Sequence, residues 1–168
     1  MTNHAAFAHA DAPLFLFHLL EFSGKKFNLD VDELNARWAD PDMIDSWSQM
    51  VIKHTEDTVD IVTDVPQTGI YRMDADGRVQ YDRFDYHRRA VESENEAFFL
   101  RILQPGDYRY EGADIGILVT RGRSMTKGFQ LNERAQRWIH GIKQSVQAKP
   151  LPALDAGPVL AEPAFKML

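Results

Sequence analysis

The clearest periodic signal in the chain runs from Leu131 to Val146. Leu131, Ala135, Trp138, Ile139, Ile142 and Val146 recur at three- and four-residue steps, while Glu133, Arg134, Arg137, Lys143 and Gln144 lie off that stripe. Apolar positions at this spacing line one face of an α-helix, so the segment is predicted to be an amphipathic helix laid on a sheet. The sheet has its own signals upstream. Ile115–Thr120 (IGILVT) is almost continuously apolar, the pattern of a central strand buried on both faces. Ala97–Leu103 (AFFLRIL) is rich in aromatic and branched residues and reads as a strand. Ile70–Met73 and Arg78–Phe84 flank Asp74-Ala75-Asp76-Gly77, which predicts a β-hairpin. Pro105-Gly106-Asp107 marks a turn before an extended Tyr108–Tyr110.

The N-terminal half reads as helical. Asp11-Ala12-Pro13 has the form of a helix start, and Pro13–Phe22 is apolar almost all round, as in a helix buried in a core or against a partner. Asp30 and Glu33 have the spacing of an acidic capping box opening a short helix with Leu34 and Trp38. Asp40-Pro41 is another start signal. After it Met43, Ile44, Trp47, Met50, Val51 and His54 recur at helical steps, predicting a helix to about Val59. The fold class is therefore α+β: N-terminal helices, then a small antiparallel sheet closed by a C-terminal amphipathic helix. Residues 1–147 are expected to form one domain, with a helical part over 11–62 and a sheet-plus-helix part over 69–147. Residues 148–168 form a Pro/Ala-rich tail without helical or strand period.

Composition narrows the function classes. The 168 residues suffice for one hydrophobic core, and the ten Phe and three Trp are unlike a disordered chain. A net charge of −6 disfavours nonspecific contact with nucleic acid or anionic lipid. With no Cys, disulfides, thiolate metal sites and cysteine nucleophiles are excluded. The apolar run Leu14–Leu20 is too short to span a bilayer, which needs roughly 20 apolar residues. These features fit a cytoplasmic protein, with neither nucleic acid nor membrane as partner.

Candidate chemistry is sparse. The six His show no ligand spacing, so no metal site is assigned; His54 and Asp57 lie at a three-residue step without an H-E-x-x-H pattern. Asp82, Asp85, Tyr86 and His87 cluster near a strand end, where His87 between carboxylates has the makings of a general base or of an exposed, charged loop. The loop Arg121 to Gly128 brings three cations, two hydroxyls and two Gly after a strand, a composition that suits an anion or an acidic protein face. Arg101 sits inside an apolar strand. Alternation places it outward; facing the core it would need a partner, with Glu94, Glu96 and Asp114 available.

The stretch Pro105-Gly106-Asp107, then Gly112 to Gly122 around IGILVT, then the helix with Ala135, Ile139 and Ile142, resembles the closing segment of ATP-grasp enzymes of the biotin carboxylase-like and carboxylate–amine ligase groups. The resemblance spans residues 3–147. It implies a non-catalytic C-terminal domain or accessory subunit of an ATP-dependent carboxylase or ligase, which supports a catalytic ATP-grasp partner and shapes the acceptor-substrate side. ATP and Mg would belong to that partner, because this chain lacks the family's Gly-rich nucleotide loop. It would bind no cofactor alone. No catalytic residue carries over; Arg101, Arg121 and Arg123 are the candidates for carboxylate or phosphate contacts. Two alternatives stand beside this one. The chain is an independent protein-interaction or small-ligand module, with a homo-oligomer among its forms, or a small enzyme using His87 with Asp82 and Asp85.

Overall fold

The computed structural model describes residues 14–26, 28–40, 42 and 46–151. Among the described residues, the first two helices are α1 (Leu14–Phe22) and α2 (Val31–Ala39). Asp30 caps α2 by accepting the Glu33 N–H at 2.9 Å, as its capping-box spacing predicts. The described side chains of α1 are not buried within the chain: Leu19 and Leu20 are exposed, and Phe22 is 78 % exposed. Over the described side chains, residues 17–22, the expected burial of this helix is thus not met by the chain's own core.

From Trp47 onward the chain is a sheet structure. Strands β1 (Trp47–Lys53), β3 (Gly69–Met73), β4 (Val79–Arg83), β5 (Glu96–Arg101) and β7 (Asp114–Arg121) form one antiparallel sheet in the order β1-β7-β5-β3-β4. A smaller sheet has the order β6-β2-β8, from β2 (Asp60–Asp64), β6 (Tyr108–Arg109) and β8 (Gln147–Pro150). Helix α3 (Glu133–Gln144) lies between β7 and β8 in the chain. The α+β class and the closing helix are as predicted.

Two boundaries differ from expectation. The predicted helix from Asp40 to Val59 is a strand over Trp47–Lys53, followed by β2. Asp40 does accept the Asp42 N–H at 3.0 Å, so the start signal is used locally, while Met43 and Ile44 lie outside the described residues. Beyond Trp47, spacing misleads because β1 packs apolar groups on both faces. Met50 and Ile52 face one core and Trp47 the other, so the apolar set mimics a helical stripe. The helical part therefore ends well before residue 62. The tail also begins later than 148, because Gln147–Pro150 pairs antiparallel with β2.

Two apolar clusters sandwich the large sheet. On one face Ile52, Tyr71, Phe99, Leu118, Trp138 and Ile142 pack together, joined by Val62, Leu103 and Val146 from around the small sheet. On the other, Ile70, Val91, Phe98 and Val119 meet Trp47 and Ala90. The α3 stripe is the one read from periodicity, with Ala135, Trp138 and Ile142 buried, but the helix is shorter than 131–146: Leu131 precedes it, exposed, in a bridge to Met125, and Val146 follows it. Asn132 caps it by accepting the Ala135 N–H at 2.9 Å. At Gly141 the helix passes so close to β4 that an added Cβ would lie 2.5 Å from Val79. Interior strands β7 and β5 carry the most buried side chains, as expected of Ile115–Thr120. No helix among the described residues is long and apolar enough to cross a membrane.

Trp138 is fully buried at the centre of the helix–sheet contact. Replacing it with Ala is expected to destabilise the domain by about 3–5 kcal/mol in urea unfolding, the range for truncating a large core aromatic. A midpoint unchanged from wild type would show that α3 does not hold the sheet.

Candidate functional site

Where the β2–β3 connection, the β3–β4 hairpin, the end of β5 and the end of α3 meet, they leave an open cleft of about 420 Å³. Its walls are Val65, Pro66, Tyr71, Val79 and Tyr81, with Arg101 among them. Register explains the arrangement. Tyr71 pairs with Tyr81 across β3 and β4, so both rings fall on one face, meeting edge-on at 5.4 Å. Gly69 makes room for this: a Cβ there would lie 2.8 Å from the Tyr81 ring and 2.6 Å from the Arg83 carbonyl oxygen. The Tyr71 hydroxyl donates to the Gln67 carbonyl at 2.7 Å, tying the β2–β3 connection to the wall. Burial, and then Tyr81, push its pKa above the ordinary phenol value despite the opposing Arg101 charge, so Tyr71 stays protonated.

Arg101 is the unusual member. It shares the face of Ala97 and Phe99, on the helix side of β5. The outward placement expected from alternation is therefore corrected: it looks into the cleft and is half-buried. The three acids expected to neutralise it are engaged elsewhere. Glu96 bonds to Arg72 at 3.0 Å and to Arg83 at 3.1 Å, Glu94 to Arg134 at 3.0 Å, and Asp114 to Lys53 at 2.9 Å. The Arg101 guanidinium meets no carboxylate among the described residues. Its backbone N–H is held by Thr68 Oγ1 at 3.1 Å, which fixes the strand end that carries it. A guanidinium with five donors and no acceptor, set among aromatic walls, is chemistry for a planar anion. Asp64 also lines the cleft, with one oxygen bound to the Val65 N–H at 2.9 Å. Its charge disfavours any anion in the cleft, and a polyanion more than a monoanion.

The other candidates are not part of this cleft. Arg101 pairs with Gly116, so Arg121 lies five residues further along β7, roughly 16 Å away. The Arg121 Nε–H donates to the Val91 carbonyl at 2.8 Å, and its guanidinium stacks over the Trp47 ring at 4.6 Å. Arg123 is exposed, and its carbonyl accepts from Asn132 at 2.7 Å. The basic loop they frame is braced, with the Ser124 N–H bound to Ser48 Oγ and a bridge joining Met125 to Leu131. Around His87 the groups act as local caps. Asp85 accepts the His87 N–H at 2.7 Å, His87 Nδ1 accepts the Arg89 N–H at 3.1 Å, and Asp82 pairs with Arg83.

Two polar networks escaped the sequence reading. Glu96, 3 % exposed, takes bonds from Arg72, Arg83 and the Glu92 N–H. Burial raises its pKa, but these donors outweigh burial and hold the carboxyl near 2. Its cross-strand register with Arg72 was the available signal. His54 was expected on a helix. It instead follows β1, buried, with Nε2 3.1 Å from Thr58 Oγ1; Thr58 bonds to Asp60, which pairs with Arg109 at 2.6 Å. Burial first, then the Arg109 charge, lower the His54 pKa below its ordinary 6.5.

Comparison of the chain with protein-family models, with curated proteins and with solved structures finds no match.

The two networks predict a stability profile in two steps. The His54 pKa is lowered in the fold, so its stabilising share is complete above about pH 6.5 and is lost as pH falls below that value. Glu96 is also lowered, so its share is present above its ordinary 4.5 and is lost as pH falls towards 2. Urea midpoints measured across this range should fall in both windows. His54→Gln should remove the upper step and Glu96→Gln the lower, the latter at a cost of about 1–3 kcal/mol at neutral pH. A profile flat from pH 7 to 3 in wild type would contradict both assignments.

Proposed function

We propose that this chain is a binding module, not a complete enzyme, and that its cleft takes a small ligand with one carboxylate and an apolar body. The observation that carries this reading is Arg101, half-buried among Tyr71, Tyr81, Val65, Pro66 and Val79 without an acidic partner among the described residues. A ligand carboxylate supplies the missing countercharge through paired N–H···O bonds, and its apolar body covers the rings. A cleft of about 420 Å³ suits a molecule of that size. The role of Arg101 is binding; the reading assigns no nucleophile or general base.

The resemblance to ATP-grasp enzymes is compatible with the same site. The turn at Pro105-Gly106-Asp107, β7 and α3 follow in the order of that family's closing segment, which supports a second reading: an accessory domain presenting a carboxylate acceptor to a catalytic partner. ATP and Mg would then be held by the partner, in the cytoplasm. In that reading the purified chain alone turns over no ATP, whereas a co-expressed ATP-grasp subunit is retained by it.

The test is a titration of the ¹⁵N-labelled chain with benzoate and, separately, with benzamide and inorganic phosphate. Benzoate is expected to shift the Arg101 side-chain N–H and the Thr68 and Gly69 amides, with benzamide much weaker. Arg101→Met should reduce benzoate affinity at least about tenfold while leaving the fold intact, as expected for loss of a charge-assisted pair worth ~1.5–3 kcal/mol. Equal responses to benzoate and benzamide, or an unchanged affinity in Arg101→Met, would refute a carboxylate site.

A further inference from the structure

The large sheet ends in two edge strands that differ in how they are protected. The β4 edge is itself bulged, with Asp82 as the extra residue between the Ile70–Arg83 and Tyr71–Tyr81 pairs, and carries Asp82 and Arg83. Bulges and charges of this kind keep foreign strands away. The β1–β7 pairing is also irregular, between Ile52 and Lys53, but there the extra residue, Ile115, is on β7 and the edge strand stays regular. The β1 edge, Trp47–Lys53, is seven residues long and carries one charge, Lys53, which Asp114 neutralises at 2.9 Å. Among the described residues β1 pairs on one side only, with β7.

The hydrogen-bond phase of that pairing is fixed. The Gly122 N–H donates to the Ser46 carbonyl at 2.7 Å, so Ser46, Ser48 and Met50 turn their backbone groups towards β7. Trp47, Gln49 and Val51 turn theirs to the open edge. The sheet face opposite α3 adds a second feature. Val51 and Leu100 each lie opposite Ile117, so Leu100, Ile117 and Val51 form one apolar row running out to the edge. The row is incompletely covered, with Leu100 42 % and Val51 46 % exposed.

From these features we infer that β1 is a homodimerisation edge, the occupant being β1 of a second copy running antiparallel about a two-fold axis at Val51. Gln49, Val51 and Lys53 then agree on one register. Val51 of each copy exchanges N–H···O=C bonds with Val51 of the other, which the phase of the outward groups permits. The two apolar rows join into Leu100–Ile117–Val51 followed by Val51–Ile117–Leu100 of the second copy. Lys53 comes opposite Gln49, so no like charges are opposed and charge does not hinder the approach. A register centred on Met50 would instead set Val51 against Gln49 and break the row, and hydrophobic matching is what selects strand register.

Sedimentation equilibrium of the full chain should give twice the 19.2 kDa chain mass at micromolar concentrations. Val51→Lys and Val51→Glu each place like charges across the two-fold axis and should sediment as monomers. Both substitutions are at a half-exposed site, and circular dichroism identical to wild type shows that they fold. Mixed in equal amounts, the two variants should recover the dimer mass, because Lys then faces Glu at the axis. A wild-type monomer, variants that remain dimeric, or a mixture that stays monomeric would each overturn the proposal. The first of these would leave the edge to a strand from a different protein.

Discussion

The contact of Trp138 and Ile142 with the face bearing Phe99 and Leu118 is the constraint on which the rest of the structure rests. It is the only place where the helix stripe, the large sheet and residues bordering the small sheet share one cluster, among the described residues. Because α3 is held there, its last turn brings Ser145 to the cleft and delivers Gln147–Pro150 to the edge of β2. The same contact commits one face of β5 to the interior. Arg101, at the end of that strand, is carried inward by register and cannot take the solvent-facing side without moving Ala97 and Phe99 out of the core.

Charge distribution then sets Arg101 apart from the cations that the sheet uses in ion pairs. Glu96 sits on the opposite face and gathers Arg72 and Arg83, and Glu94 holds Arg134 beside the start of α3. Lys53 and Asp114 neutralise each other at the far edge of the sheet. The Glu96 and Lys53–Asp114 pairs join strands and the Glu94–Arg134 pair joins a loop to α3, and the buried Glu96 is satisfied by several donors at once, which makes its ionised form favourable in a buried setting. Arg121 likewise serves structure, clamped between Trp47 and the Val91 carbonyl. The binding role proposed for Arg101 rests on its contrast with these neighbours.

Much of this fold was legible in the sequence, for identifiable reasons. Helix α3 has a single apolar stripe, the β3–β4 hairpin has its Gly-terminated turn, and Asp30 has its capping-box mate, so each was set by local chemistry. Strand β1 was misread because its apolar side chains serve two cores, which removes the two-residue period. Strand β8 was missed since Gln147, Lys149 and Pro150 have little strand character of their own; pairing with β2 makes it a strand. The orientation of Arg101 needed tertiary information. Glu96 through Phe99 are all buried, so the alternation that would have shown the covered face is absent. Arg101 was nevertheless recognisable as a charge out of place in an apolar strand. The network of His54, Thr58, Asp60 and Arg109 gave no warning because Arg109 joins the local trio only when β6 pairs with β2.

The central claim is that the Arg101 cleft holds a carboxylate with its apolar body against the tyrosines. The most direct measurement is a crystal structure of the chain soaked with para-bromobenzoate, using the anomalous signal of bromine to locate the ligand. The account predicts a bromine peak among Val65, Val79 and Tyr81, with the carboxylate paired to the Arg101 guanidinium. A cleft that remains empty while wild-type crystals hold the ligand elsewhere, or a ligand bound there with its carboxylate pointing away from Arg101, would contradict it.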